Sequence, residues 1–358
     1  MTPTLVAAPL LRRFVAALFE HAGIPADDAR TVADCLVTAN LRGVDTHGVF
    51  RVPTYLERVR RQIVNTRPDI RITPVTGAVA MVDGDNGMGA VVGTRAMQHG
   101  IGLARDAGIG LVSVRRSTHY GMAAYYVLQV IKAGMIGMAF TNASPALPPW
   151  GGRAPFFGTS PLAVGVPGGK RSDFVLDMAM SVLARGNVYI AAQNGEPIAP
   201  GLALDADGYP TTDPRDVMSG GTMLPFGGVK GAALATVMDI FGGVLSGAAF
   251  GGTVGNPHTD FTRSQDVGHL FIIIRPDLFM PRDSFAERMD TLVERMKAQP
   301  RAAGFDEILI PGEREARTER ERSRNGIPLS AEVTAALQAE AQTAGIAFPE
   351  SVARNPQQ

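Results

Sequence analysis

Apolar positions recur at three-to-four spacing over residues 7–22 and stop at Gly23-Ile24-Pro25, a glycine followed by a breaker, which predicts an amphipathic helix with its end. The pattern repeats over 26–41, where Asp27 and Asp28 occupy a first turn favoured by the helix dipole and Gly43 closes the run. A short segment, Val44-Asp45-Thr46-His47-Gly48, leads to a third helical run over 49–62, in which Pro53 is tolerated because it lies near the start. The chain to residue 68 is therefore read as a helical layer.

The pattern then alternates. β-branched and apolar runs at 70–75 and 79–82, a Gly-rich turn over 83–89, a helix near 90–107, a strand at 110–114, a helix over 121–133 and a strand at 136–141 predict a layered α/β domain. Pro and Gly crowd 144–169 too densely for regular structure, as in ligand-bearing loops. A strand at 174–176, a helix near 179–185, an apolar helix from Gly231 and a strand at 270–274 complete the domain, placed at 69–280. From Arg282 the chain is helical and charged again, so residues 281–358 are expected to pack with the N-terminal helices. No repeat at a fixed period is present.

With 358 residues the chain is long enough for one large or two interleaved domains. Hydrophobic residues make up 45% and charged ones 19%, below the usual charged fraction of about 25%. That composition excludes disorder and predicts a surface partly covered by another subunit. Lys+Arg 34 against Asp+Glu 34 leaves no basic excess, which argues against nucleic acid as a partner. The lone Cys35 excludes an intrachain disulfide and multi-Cys metal sites and fits a reducing compartment. The start MTPTLVAAPLLRRF has no basic n-region and carries Pro9, so the cytoplasm is the expected location. Residues 231–255 have the length of a membrane span, yet Asp239 in the middle would cost about 2.5–3.5 kcal/mol. Seven glycines there weaken a lone helix further. A core or interface helix followed by a Gly-rich loop is expected, and no membrane partner.

The glycine pairs Gly87/Gly89, Gly100/Gly102 and Gly108/Gly110 do not extend to the dinucleotide fingerprint Gly-x-Gly-x-x-Gly. Gly227-Gly228-Val229-Lys230-Gly231 is not a phosphate-binding P-loop either, although it precedes an apolar helix whose N-terminus favours an anion; as a motif it is equally a flexible turn. The histidines show no metal-ligand spacing, so no metal is expected, and no Gly-x-Ser-x-Gly elbow supports serine hydrolysis. His47, Arg51 and Tyr55 follow one another at steps of four along one helical stripe. An oxidoreductase of 2-hydroxy or 2-oxo acids needs such a set: Arg to grip a carboxylate, His to move the hydroxyl proton, Tyr to orient. The same spacing describes a capping histidine beside a surface arginine. His119, in Ser117-Thr118-His119-Tyr120-Gly121, sits where a strand gives way to a helix, either a catalytic position or a surface helix start. Asp177 after the strand is a candidate ribose partner or a helix cap.

Together these stretches resemble the non-Rossmann malate/L-lactate dehydrogenase family, from about residue 10 to residue 340. The resemblance rests on Asp45-Thr46-His47-Gly48 with Arg51 and Tyr55, Ser117 to Gly121, Pro148-Pro149-Trp150-Gly151-Gly152 through Gly158-Thr159-Ser160-Pro161, and Leu176-Asp177-Met178-Ala179-Met180-Ser181. It continues through Pro210-Thr211-Thr212-Asp213-Pro214, Leu224 to Gly231, Gly268-His269, Pro311-Gly312-Glu313 and Gly326-Ile327-Pro328-Leu329. It implies an α/β fold with a non-Rossmann mixed-sheet cofactor domain and a helical domain built from both termini. It also implies a homodimer or higher oligomer and NAD or NADP as cofactor, with a small 2-hydroxy or 2-oxo acid of the malate, lactate or ureidoglycolate kind as substrate. Carried over by position, His119 and His47 are the catalytic candidates, Arg51 and Tyr55 bind substrate, and Ser160, Asp177, Met178, Ala179, Lys230, Gly312, Glu313 and Arg314 bind cofactor. Asn187, where relatives commonly have Lys, and Leu202, where Trp is usual, depart from the pattern. Cyclic ketimine-2-carboxylate reduction and a catalytically silent interaction protein of the same fold are the alternatives.

Overall fold

Seven strands form the central sheet of the computed structural model, which describes residues 3–352. In spatial order they are Arg71–Thr76, Val79–Asp83, Ile109–Ser117, Val267–Ile274, Ile136–Thr141, Leu162–Val166 and Phe174–Met178. Val79–Asp83 and Ile109–Ser117 run parallel, joined through helix Gly89–Ala107 as a parallel pair requires. The other neighbours pair antiparallel. The sheet is thus mixed, as expected, and unlike a doubly wound dinucleotide sheet in order and direction.

Val267–Ile274 lies fourth of seven, and the apolar run Leu270–Ile274 within it is that of a strand covered on both faces. Phe271 and Ile273 enter the core under helices Gly89–Ala107 and Ala124–Lys132, while Leu270 and Ile272 meet Phe140 and Met238 on the other face. Two of the glycines outside the dinucleotide fingerprint, Gly100 and Gly110, serve packing instead. A Cβ on Gly110 would lie 2.2 Å from the Gly100 carbonyl oxygen, so helix and strand approach this closely only without side chains there.

The two ends of the chain meet. Strand Thr4–Val6 pairs antiparallel with Ile327–Leu329, and helix Ala331–Ala344 packs on helices Ala8–His21 and Val52–Arg60. Helix Arg282–Lys297 lies instead by the sheet's far edge, where Asp290 accepts the backbone N–H groups of Gly169, Lys170 and Arg171.

Several elements differ from the sequence reading. The helix placed near 179–185 is Arg185–Asn194; upstream, Met180 N–H goes to the Thr159 carbonyl and Val182 N–H to that of Leu224, which holds this stretch extended. Strand Leu162–Val166 falls within the Gly/Pro-rich stretch read as irregular, because its alternating residues find a partner strand in Ile136–Thr141. The third helix begins only at Val52, after 3-10 turns at Asp45–His47 and Val49–Arg51. The apolar helix spans Val229–Asp239 and ends in a π-helical turn, with Asp239 accepting the Gly251 N–H at 2.8 Å. Among the described residues no helix is long and apolar enough to cross a membrane.

Candidate active site

His119 leaves the end of strand Ile109–Ser117 and is fixed on both sides. Its backbone N–H donates to Gln265 Oε1 at 3.1 Å, and Thr118 Oγ1 accepts the Gly89 N–H at 2.8 Å. The ring is fixed too, since Nδ1 meets the Tyr55 hydroxyl at 2.6 Å and the Gly121 N–H at 3.3 Å. A peptide N–H can only donate, so the neutral ring carries its proton on Nε2. That leaves Nε2 as the ring atom available to a ligand in the cavity.

His47 stacks on His119, with ring centroids 5.6 Å apart and planes at 21°, and its Nδ1 lies 3.1 Å from Thr46 Oγ1. The turn that carries it is held from the far end of the chain: Asp45 receives Arg322 at 2.7 and 3.0 Å and Asn40 at 2.6 Å. Arg51, at the end of the next turn, donates from Nε to the Thr46 carbonyl at 2.7 Å and meets His258 Nε2 at 2.5 Å through Nη1. The stripe of His47, Arg51 and Tyr55 thus converges as expected, although tight turns, not one continuous helix, bring it together.

His47, Arg51, His119 and His258 line a cavity of about 460 Å³, whereas Tyr55, expected to bind substrate, is buried behind His119 and is not among the lining residues. Its lining includes Thr46, His47, Arg51, His119, Arg185 and His258, and also Asp177, Gly312 and Glu315, with Thr141 to Ser144 and Thr159. His47 and His119 are half-buried by area, because they face the cavity, and enclosed by protein on every other side. Desolvation lowers His47 to a pKa of about 3, with Arg51 adding to the shift, and lowers His258 to about 4. His119 is pushed well below its usual value by burial first, then by Arg51 and the neighbouring histidines. Tyr55 is pushed up by burial and stays protonated. This cluster is therefore a set of neutral imidazoles around a guanidinium, a site prepared for an anion.

Asp177, near the end of strand Phe174–Met178, accepts the Ala124 N–H at 2.7 Å and so holds the start of helix Ala124–Lys132. Its carboxylate is open to the cavity yet set deep in a concave wall, and that desolvation raises its pKa to about 6, with the Ala124 N–H and Arg42 opposing. Gly312 lies against the same strand at φ +93°, where an added Cβ would come within 2.7 Å of Val175. Ala179 lines the cavity, and Ser160 lies between two lining residues, fully buried with an unpartnered Oγ. Met178 is half-buried on its strand and is not among the lining residues. Lys230 is exposed and likewise off the cavity wall. Glu313 is engaged by Lys297 at 2.7 Å and Ser172 at 3.0 Å, and Arg314 pairs with Glu315 at 3.1 Å. Asn187 is exposed on helix Arg185–Asn194, and the Leu202 carbonyl accepts Leu224 N–H at 2.8 Å.

His258, Arg185 and Gln265 were not legible as site residues. None lies at a helical or strand interval from the motifs, and only the folded loop brings His258 to Arg51. His269, also without a spacing signal, is fully buried between Thr141 and Ser117, each 2.8 Å away, and stacks on Tyr120. No group of three His, Cys, Asp or Glu among the described residues is placed to hold a metal ion.

The family model described as malate/L-lactate dehydrogenase matches residues 6–338. L-sulfolactate dehydrogenase of Methanocaldococcus jannaschii is 39% identical over 314 residues, 87% of this chain and 89% of that protein. Malate dehydrogenase of Pyrococcus horikoshii is 37% identical, covering 93% of each chain, and ureidoglycolate dehydrogenase (NAD(+)) of Escherichia coli is 33% identical, covering 86% and 88%. The solved sulfolactate dehydrogenase superimposes with a TM-score of 0.89 at 35% identity, covering 96% of this chain and 98% of that one. The solved Δ1-piperideine-2-carboxylate reductase of Pseudomonas syringae does so at 0.85 and 29% identity, covering 94% and 99%.

Proposed function

The chain belongs to the malate/L-lactate dehydrogenase family, and from that premise we propose that its cavity takes a small 2-hydroxy or 2-oxo acid beside NAD or NADP. The relatives named above are dehydrogenases of hydroxy acids, so a dehydrogenase acting on a CH–OH group is the activity that this membership supports. The observation that carries the reading is that Arg51 and His119 line one cavity, with the Tyr55 hydroxyl backing the His119 ring from outside its wall. A guanidinium for a carboxylate then stands beside an imidazole for the C2 oxygen.

The lining contributed by strand Phe174–Met178 and the residues after it fits a dinucleotide. Ser160 and Ser181 are buried with unpartnered hydroxyls, and the Asp177 carboxylate in the cavity lining suits ribose hydroxyls. When bound, the nicotinamide supplies the hydride chemistry, and the protein supplies orientation and proton transfer. In the reductive direction His119, protonated on both ring nitrogens, gives its Nε2 proton to the substrate oxygen and is left neutral with its remaining proton on Nδ1. In the oxidative direction Nε2 takes the hydroxyl proton, which requires the ring proton to sit on Nδ1 with the Tyr55 oxygen accepting it and the long 3.3 Å contact from the Gly121 N–H given up. His47, stacked behind the same ring, supports the substrate side.

The solved reductase neighbour favours a second reading, reduction of a cyclic ketimine carboxylate with the same arginine grip and the proton delivered to nitrogen. A panel of pyruvate, oxaloacetate, sulfopyruvate, ureidoglycolate and piperideine-2-carboxylate, followed at the nicotinamide absorbance with each cofactor, separates the readings. Relatives named for NAD(+) and for NADP(+) both occur, so both cofactors belong in the assay. A chain that binds neither in a titration would be the silent interaction protein. We read the exposed apolar side chains Val229, Leu234, Ile240, Val244, Leu245 and Phe250 as a face covered by a second copy.

A further inference from the structure

Helix Val52–Arg60 carries a second arginine into the interior. Arg58 is 1% exposed, and burying a guanidinium is unfavourable unless its donors are satisfied. Its acceptors are all carbonyls of one irregular loop: Nη1 donates to Asp260 O at 2.7 Å and Pro257 O at 3.5 Å, and Nη2 to Arg263 O at 3.2 Å. The Phe261 ring lies 5.8 Å from the same guanidinium. The loop closes on itself at its neck, where Gly255 N–H meets the Gln265 carbonyl at 3.1 Å and Gln265 Nε2 meets the Gly255 carbonyl at 3.2 Å. Residues 255–265 are therefore wrapped around a buried cation. The residue this loop sends into the cavity is His258, whose own N–H is held by Asn256 Oδ1 at 2.9 Å and whose Nε2 accepts from Arg51.

We propose that Arg58 is a positioning residue: by holding the carbonyls of loop 255–265 it sets His258 against Arg51 and so fixes the guanidinium that receives the substrate. The proposal rests on the reading of Arg51 as the carboxylate site. With Nε on the Thr46 carbonyl and Nη1 on His258, Arg51 is held in one plane and offers its remaining donors to a ligand. Arg51, Tyr55 and Arg58 follow at i, i+4 and i+7, so one short face supplies the grip, the imidazole partner and the loop anchor.

The test is a double-mutant cycle with Arg58→Lys, Arg58→Gln and His258→Ala in the full chain, with oxaloacetate as the probe acid and hydrogen exchange of 255–265 measured alongside. Arg58→Gln should raise KM about ten- to a hundredfold while kcat and the cofactor Kd change less than about threefold. Arg58→Lys, which keeps the charge but not the fork, should fall between it and the wild type. Exchange in 255–265 should rise in both. In the His258→Ala background the Arg58 substitutions should leave KM where His258→Ala alone puts it. An effect on KM that persists in full in that background, or an unchanged exchange rate, would overturn the proposal. Should Arg58→Gln fail to fold, Arg58→Lys carries the same cycle. Should no acid in the panel be turned over, the functional reading fails separately, and the exchange measurement alone decides whether Arg58 holds the loop.

Discussion

The Tyr55 hydroxyl lies 2.6 Å from Nδ1 of His119, opposite the ring nitrogen that faces the cavity. A phenol can donate to Nδ1 or accept from it, so it supports the ring in both tautomers and lets the proton demand at Nε2 reverse with the direction of reaction. Tyr55→Phe removes that support without removing the ring packing. It should lower kcat by about tenfold, with KM changed much less. Steady-state kinetics in both directions checks this, and an unaltered kcat would detach Tyr55 from the proton step.

Arg51→Lys should reduce kcat/KM for the acid by about ten- to a hundredfold, because an ammonium cannot bond the Thr46 carbonyl, His258 and a carboxylate in one plane. Lys230→Ala should change it far less, since Lys230 is exposed and off the cavity wall. Comparable losses in the two variants would mean that the substrate is not held at Arg51.

Stability should fall as pH drops below about 6.5. His47 and His258 have folded-state pKa values of about 3 and 4, so below 6.5 the unfolded chain takes up protons that the folded chain refuses. Each contributes a loss of about 1.4 kcal/mol per pH unit until its folded pKa is reached. Asp177 acts in the opposite sense: its folded pKa of about 6 lets the native state bind a proton first, which offsets part of the loss between pH 6 and the ordinary aspartate range. Urea midpoints measured from pH 7 to 4 should decline, and His258→Gln should make the decline shallower. A flat profile would mean that the imidazoles are solvated.

Much of this architecture was legible because strand and helix periods are local. The continuous apolar run at 270–274, which the strand Val267–Ile274 contains, and the three-to-four spacing of the first two helices each reflect burial by whatever lies above them, and they read correctly without knowing the neighbour. The motif residues His47, Arg51 and His119 were likewise legible, through resemblance. The helix misplaced at 179–185 was not, because the hydrogen bonds that hold those residues extended come from Thr159 and Leu224, far off in sequence. His258 lies on a loop whose shape is set by Arg58, 200 residues upstream, so no local interval marks it.

The apolar face at Ile240, Val244 and Leu245 should be closed by a second subunit, these residues being 44%, 54% and 60% exposed in the single chain. Light scattering should give at least twice the 37.8 kDa of one chain, and Leu245→Glu should shift it towards monomer. A monomeric wild type would leave that face unexplained and overturn this reading of it.

The central claim is that His119 moves the proton while Arg51 holds the acid, and His119→Ala tests it most directly. With the best acid of the panel and either cofactor, followed at the nicotinamide absorbance, the account predicts kcat lower by about 10²–10⁴-fold and an unchanged cofactor Kd. It also predicts that His47→Ala acts mainly on KM. A His119→Ala enzyme that transfers hydride at the wild-type rate, or one whose loss lies wholly in cofactor binding, would contradict it.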